Sequence, residues 1–329
     1  MKQYNSILFV IIGLVGIALA TLIILQAVPA ALNDTRPINP GSNASETKID
    51  PDLTLVGFAD DQTMIELWEG LIENPSTGDK QSVRVYVPQG ENLPAVIMIP
   101  GGVGSGAEFE KQNGANPSDA LTVAQAGFVT VVYDPLARGE SDGEINFQGF
   151  DDQDGLSEVI KLAKNLPSVD ENNLGLASFS YGVTAAAGVL ARYPELGLKF
   201  WSDWEGPSSR SYTNPGCTGT LSPDRLPTPG AFPCEANDHW SEREAAEFIK
   251  TAQVEYYWRI QQIDDHVQDT YGHTVEMINN AIANANIKHV LLNDMSENTP
   301  VTPTTIEPVK NGPELILYTI PHLQIMAGI

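Results

Sequence analysis

From residue 53 onward, short apolar runs alternate with segments of helical periodicity. Ala95–Pro100 (AVIMIP), Phe128–Asp134 (FVTVVYD), Asn173–Phe179 (NLGLASF), Leu198–Trp204 (LKFWSDW), Val254–Ile263 and Ile287–Asp294 are rich in β-branched and aromatic residues without strict alternation. Strands buried on both faces read this way. Between them, Asp119–Gly127, Asp152–Leu166, Gly182–Tyr193, Ser241–Ala252 and Thr274–Ala285 carry helical patterns. Ahead of them, Thr63–Ile72 and Ser82–Gln89 flank a stretch of turn residues and predict an antiparallel hairpin. Strand–helix alternation predicts an α/β fold with right-handed crossovers: a mostly parallel, doubly wound sheet of about eight strands, preceded by the hairpin.

The N-terminal fifty residues follow a different pattern. Ile7–Leu25 is uncharged and almost wholly apolar, Lys2 precedes it, and a polar stretch containing Pro and Ser follows. That length suits a bilayer span better than the short apolar region of a cleaved signal, although AVPAAL (Ala27–Leu32) offers small residues for cleavage after Ala30. The expected organisation is a signal anchor or signal peptide over 1–30, a disordered linker over 31–52 with a glycosylation sequon at Asn43, and one folded domain over 53–329. The expected location is extracytoplasmic, membrane-anchored through the N-terminal helix or secreted.

Charge narrows the partners. The 329-residue chain has a net charge of -24, and so acidic a surface repels nucleic acid. Its two cysteines, Cys217 and Cys234, lie in one Pro/Gly-rich insert at about 205–240. An isolated pair closing a short loop in an exported protein predicts a disulfide rather than a metal site. Asp151–Gly155 (DDQDG) has no Glu at the twelfth loop position and reads as an acidic helix start rather than a Ca²⁺ loop. No metal grouping, nicotinamide, flavin or haem signature occurs, so no cofactor is expected, and no obligate protein partner is implied.

The candidate chemistry sits at Ser178–Gly182 (SFSYG), between a buried run and a small-residue helix. A serine hydroxyl is a weak nucleophile unless a base takes its proton, and a sharp strand-to-helix turn holds it clear of the sheet. Strand and helix nearly touch there, which demands small residues two before and two after the serine. Gly182 meets the demand, and Ser178 is only a hydroxymethyl larger than glycine. Ser180 is therefore a candidate nucleophile. A helix N-cap is the plain structural alternative.

VIMIPGGVGSG after one strand, VVYDPLARGESDG after the next, the SFSYG elbow and QQIDDHVQ before a helix together resemble the α/β-hydrolase superfamily, in its serine esterase and dienelactone-hydrolase-like branch. The resemblance implies an oxyanion hole from the Tyr181 amide and the loop Pro100-Gly101-Gly102, with Gly102 first and Val103 next. It implies the chain order Ser, acid, His. Asp265, in Asp265-His266-Val267, resembles the acid loop. Asp203 and Glu205, on the preceding strand, are the alternative acids. The base is sought among five histidines. His239 precedes a helix, His266 adjoins Asp265 and is expected to point away from where that carboxylate points, His273 begins a helix, and His289 enters the last strand at its amino end. His322 alone follows the last strand and is the expected base, although only seven residues remain after it for a closing helix. The insert falls where the superfamily carries a lid.

These readings predict a serine hydrolase that cleaves a small-molecule carboxylic ester through an acyl-enzyme. The alternatives are a membrane-tethered binding protein that keeps the fold without a working triad, and a peptidase-like amide hydrolase.

Overall fold

The computed structural model describes residues 53–60, 63–113, 116–213, 217, 232–267, 271–310 and 315–329. The apolar segment at 7–25, the linker and the Asn43 sequon lie outside the described residues, as do 214–216 and 218–231 of the insert. Among the described residues no helix is long and apolar enough to cross a membrane.

The sheet has nine strands: β1 (Leu53–Asp60), β2 (Ile65–Glu73), β3 (Lys80–Val87), β4 (Leu93–Ile99), β5 (Val129–Tyr133), β6 (Val169–Phe179), β7 (Phe200–Trp204), β8 (Tyr256–Ile260) and β9 (His289–Leu292). Their spatial order is β1-β2-β3-β5-β4-β6-β7-β8-β9. The ladders joining β1 to β2, β2 to β3 and β3 to β5 are antiparallel, and those from β5 through β9 are parallel. The predicted hairpin is thus β2–β3. The ninth strand is β1, an edge strand that alternates buried and exposed positions and leaves Val56 and Phe58 exposed.

Both faces of the sheet are covered. On one face α2 (Phe150–Lys164), α3 (Gly182–Arg192) and α4 (Gly272–Ala283) share a buried core with Ile97 and Ile99; on the other, α1 (Asp119–Gln125) and α5 (Leu315–Ala327) share one with Val96 and Met98. Consecutive residues of β4 feed opposite cores, so Ala95–Ile99 is a continuous, fully buried apolar run. The region expected as one helix over 241–252 forms two short turns instead, Asn237–Ser241 and Ala245–Phe248.

Helix α5 corrects one expectation. The closing helix does not have to fit after His322, because it begins at Leu315 and includes His322 and Pro321. Its pattern of Ile316, Leu323 and Met326 buries against the sheet, and the Asn173 amide and the Lys199 ammonium donate to the Ala327 carbonyl at its end.

Candidate active site

Strand register builds the site. Phe179 pairs with Trp204, and Trp204 pairs with Ile260. The next residues, Ser180, Glu205 and Gln261, therefore reach the carboxyl rim of the sheet side by side, where open α/β sheets place their chemistry. The Ser180 amide donates to the Trp204 carbonyl at 2.8 Å, and the Glu205 amide to the Ile260 carbonyl at 3.1 Å. At that point both backbones turn left-handed, with φ of 50° at Ser180 and 44° at Glu205. Non-glycine residues hold that conformation only where their surroundings enforce it, and such positions gather at functional sites.

Close approach explains the elbow's composition. A Cβ on Gly182 would stand 2.8 Å from the Ile99 carbonyl oxygen and 2.9 Å from that of Pro100. Ser178 is tolerated at the other small position because its hydroxyl has a partner, accepting from Trp201 Nε1 at 2.8 Å. The Pro100–Gly102 loop lies against the same turn: a Cβ on Gly101 would come within 2.8 Å of Ser180 Cβ and 3.3 Å of the Tyr181 nitrogen. Gly102 has φ of 48° and an open side, the Tyr181 side chain is buried, and the Val103 side chain is exposed. Two stretches of backbone thus lie close together beside the Ser180 turn.

The imidazole that meets Ser180 belongs to His266. Its Nε2 lies 2.7 Å from Ser180 Oγ, and its Nδ1 lies 2.9 Å from Glu205 Oε2. The Glu205 carboxylate is 1% exposed and the His266 side chain 35% exposed, so the acid is dry while the ring reaches solvent. Glu205 Oε1 accepts from Gln261 Nε2 at 3.2 Å and from the Gln262 amide. Trp204 stacks on the His266 ring at 4.9 Å between centroids, and its Nε1 donates to Gln262 Oε1 at 2.9 Å. Phe179 packs against Trp204 and Phe109 against Phe179, giving this side of the hydroxyl an aromatic wall.

Two expected site residues lie elsewhere. The His322 ring stacks on Trp258 at 3.9 Å, and its Nε2 faces Asp294 Oδ1 at 3.3 Å. Burial lowers its pKa, opposed by Asp294. His322 is a helix residue of the outer layer, not the partner of Ser180. Asp265 does not hold His266. Its Oδ2 lies 2.6 Å from His273 Nε2, and its Oδ1 accepts from the Val267 amide at 2.7 Å. Of the two alternative acids, Asp203 turns inward to Arg259 and to the Tyr257 hydroxyl, and only Glu205 faces an imidazole beside the serine. The remaining histidines lie off the site, His239 stacked on Phe232 and His289 on Tyr256.

Elimination missed His266 because it treated Asp265 as already in the site. In the structure Asp265 turns inward to His273 while His266 turns outward to Ser180 at the rim. Glu205 and His266 thus follow β7 and β8, the two strands before the last. The signal that could have found them is Trp204-Glu205-Gly206. A Cβ on Gly206 would stand 2.5 Å from the Ser180 carbonyl oxygen, which demands glycine beside the acid.

Glu205, Asp265 and His266 also carry donor atoms within 4.8 Å of one another, a spacing a metal ion could use. The donor set does not suit one. Both Asp265 oxygens, Glu205 Oε1 and both His266 nitrogens are engaged as described. Cys217 and Cys234 form a disulfide with Cα atoms 5.3 Å apart, and the Arg210 guanidinium donates to the Cys234 carbonyl at 2.8 Å.

A parallel sheet behind an antiparallel N-terminal hairpin, with a strained serine between β6 and α3, is the α/β-hydrolase fold. The family model described as X-Pro dipeptidyl-peptidase (S15 family) matches residues 77–212, less than half of the chain. Among solved structures, the chain is similar to an esterase of Pyrococcus furiosus, at 15% identity with a TM-score of 0.55, covering 81% of this chain and 92% of that one. It is also similar to acetyl xylan esterase 1 of a Thermoanaerobacterium species, at 15% identity and TM-score 0.53, covering 83% and 88%. A putative dipeptidyl aminopeptidase IV of Bacteroides ovatus aligns at 11% identity and TM-score 0.54, over 82% of this chain but 36% of that one. No curated protein matches the sequence.

Proposed function

We propose that this protein is a serine hydrolase of carboxylic esters, working through Ser180, His266 and Glu205. The observation that carries the proposal is the unbroken hydrogen-bonded line from Ser180 Oγ through both His266 nitrogens to the buried Glu205 carboxylate. In this reading neutral His266 takes the Ser180 proton on Nε2 as Oγ attacks the acyl carbon. Glu205 fixes the tautomer with hydrogen on Nδ1 and stabilises the imidazolium that forms. The oxyanion accepts from the Tyr181 and Gly102 amides, contacts worth about 2.7–4 kcal/mol each in comparable sites. Collapse expels the alcohol oxygen, which takes the Nε2 proton. Water then enters, gives its proton to His266 and releases the acid from Ser180.

Esters rank ahead of amides because the esterases align over nearly their whole length and the aminopeptidase over about a third. The match to the S15 family favours amide hydrolysis as the second reading. The N-terminal segment is proposed to export the domain and hold it at a membrane.

The test uses fluorophosphonate labelling and a panel of p-nitrophenyl esters and dipeptide p-nitroanilides on wild type and Ser180→Ala. Labelling and ester cleavage that vanish together in Ser180→Ala support the proposal, and hydrolysis that survives unchanged defeats it. Faster turnover of the anilides would move the assignment to the second reading.

A further inference from the structure

Behind the triad lies a buried polar network that the acyl-transfer steps do not use. Arg259, on β8, is fully buried at its centre. Burial is the largest influence and works against its charge, but Asp203, Tyr257 and Asp265 together outweigh it and raise its pKa, so the guanidinium stays charged. Its donors leave in several directions. Nη1 donates to Asp203 Oδ2. Nη2 donates to the Gly206 carbonyl at 2.6 Å and to His273 Nδ1 at 2.7 Å. Nε donates to Thr274 Oγ1 at 2.9 Å.

Two of these directions lead back to the site. In the first, the Thr274 hydroxyl donates to Gln261 Oε1, and Gln261 Nε2 donates to Glu205 Oε1. In the second, His273 accepts from Arg259 on Nδ1, which leaves its single hydrogen on Nε2 to donate to Asp265 Oδ2. Asp265 immediately precedes the proposed base, and Gly206 immediately follows the proposed acid. A neutral His273 with its hydrogen on Nε2 satisfies the Arg259 and Asp265 contacts, and the Gly206 carbonyl, 2.9 Å from Nδ1, accepts from Arg259 instead. The opposite tautomer would aim an N–H at the guanidinium and a lone pair at a carboxylate.

We propose that Arg259 is the hub of a frame that positions both working partners of Ser180, holding Glu205 through Thr274 and Gln261 and the His266 backbone through His273 and Asp265. The inference rests on the proposed function of Ser180, His266 and Glu205. Arg259, His273 and Asp265 are positioning residues that touch no substrate. Fully satisfied buried networks are stiff and specific, and proton transfer between Ser180 and His266 needs the ring held near hydrogen-bond distance.

His273 is the informative place to test this, because removing Arg259 would leave Asp203 buried without its counter-charge. His273→Leu, His273→Gln and His273→Asn are compared with wild type and Ser180→Ala. Reactive serine is counted by fluorophosphonate end point, and kcat and KM are measured below the melting transition. A Gln amide reaches about as far as Nε2 and can still donate to Asp265, whereas the shorter Asn cannot. Losing the hold on the His266 loop is expected to lower kcat per reactive serine about 10- to 100-fold in His273→Leu and His273→Asn, with KM within about twofold. His273→Gln is expected to recover most of the rate. Equal kcat per reactive serine in His273→Asn and His273→Gln overturns the inference, even if His273→Leu does not fold. A Ser180→Ala variant that still hydrolyses removes the proposed function and this inference with it. An inactive Ser180→Ala beside an unimpaired His273→Asn removes this inference alone.

Discussion

Two imidazole–carboxylate pairs have histidines only seven residues apart in sequence, and they are built oppositely. His266 with Glu205 has one nitrogen on the acid and the other on Ser180, with the ring partly open to solvent. His273 with Asp265 is closed: both residues are fully buried, and the second nitrogen faces the Arg259 guanidinium and the Gly206 carbonyl. Distance to a carboxylate does not separate them, since the closed pair is the shorter at 2.6 Å against 2.9 Å. What separates them is the far nitrogen. A base needs that nitrogen aimed at a proton it can take, and His273 has spent it on structure. His322 with Asp294 and His289 with Glu297 are further pairs of the same kind, and their rings stack on Trp258 and Tyr256 instead of meeting the serine. A histidine beside an acid is a common arrangement in this molecule, and the third partner assigns the role.

The comparison can be broken at its open member first. His266→Ala is expected to reduce kcat about as far as Ser180→Ala, on the order of 10⁶-fold, with the double variant no worse than either single one. A further loss in the double variant would show that the two act separately. Glu205→Gln keeps the shape and removes the charge that sets the tautomer, and is expected to lower kcat by about 10⁴-fold. A matching loss in Asp203→Asn, with Glu205→Gln unimpaired, would move the acid to the neighbouring position. Trp204→Leu removes the ring stacked on His266. Stacking on an imidazolium contributes about 0.5–2 kcal/mol, so kcat is expected to fall about 2- to 30-fold with labelling stoichiometry retained.

The elbow offers a smaller effect outside both pairs. Ser178→Gly restores the commoner residue at that position but leaves the buried Trp201 N–H without its acceptor. We expect a loss of about 1–3 kcal/mol in stability, read from denaturant midpoints, while kcat stays within about twofold. His322 provides the smallest. Burial holds its pKa below the ordinary imidazole value of about 6.5. The neutral form is therefore favoured by folding. Its contribution is fully present above that value and is lost as pH falls through the lower folded one. His322→Phe is expected to flatten the acid side of the stability–pH curve and leave ester turnover unchanged. Lost turnover would restore His322 to the site.

Much of the architecture was legible in the chain because it follows from local regularities. Unbroken apolar runs such as Ala95–Ile99 marked strands buried on both faces, and the small residues of Gly182–Leu190 marked the helix that presses on the elbow. β1 was not read as a strand, because a half-exposed edge strand carries a weaker signal than a buried one. The closing helix was missed for a similar reason. Pro321, inside the helix, hid a segment that buries Ile316, Leu323 and Met326.

Ser180 could be singled out from sequence because its environment is made by its neighbours in the chain: a strand, a tight turn and glycine at 182. The sequence by itself therefore determined the layered sheet, the elbow and a short roster of acids and histidines around it. It could not assign their roles, since Asp265 and His266 are adjacent and only the buried Arg259 and His273 decide which of the two turns inward. Tertiary structure makes that choice by giving each buried group a partner, Asp203 on Arg259 and Asp265 on His273. The carboxylate that could reach Arg259's network went into the core, and the imidazole next to it was left at the rim beside the serine.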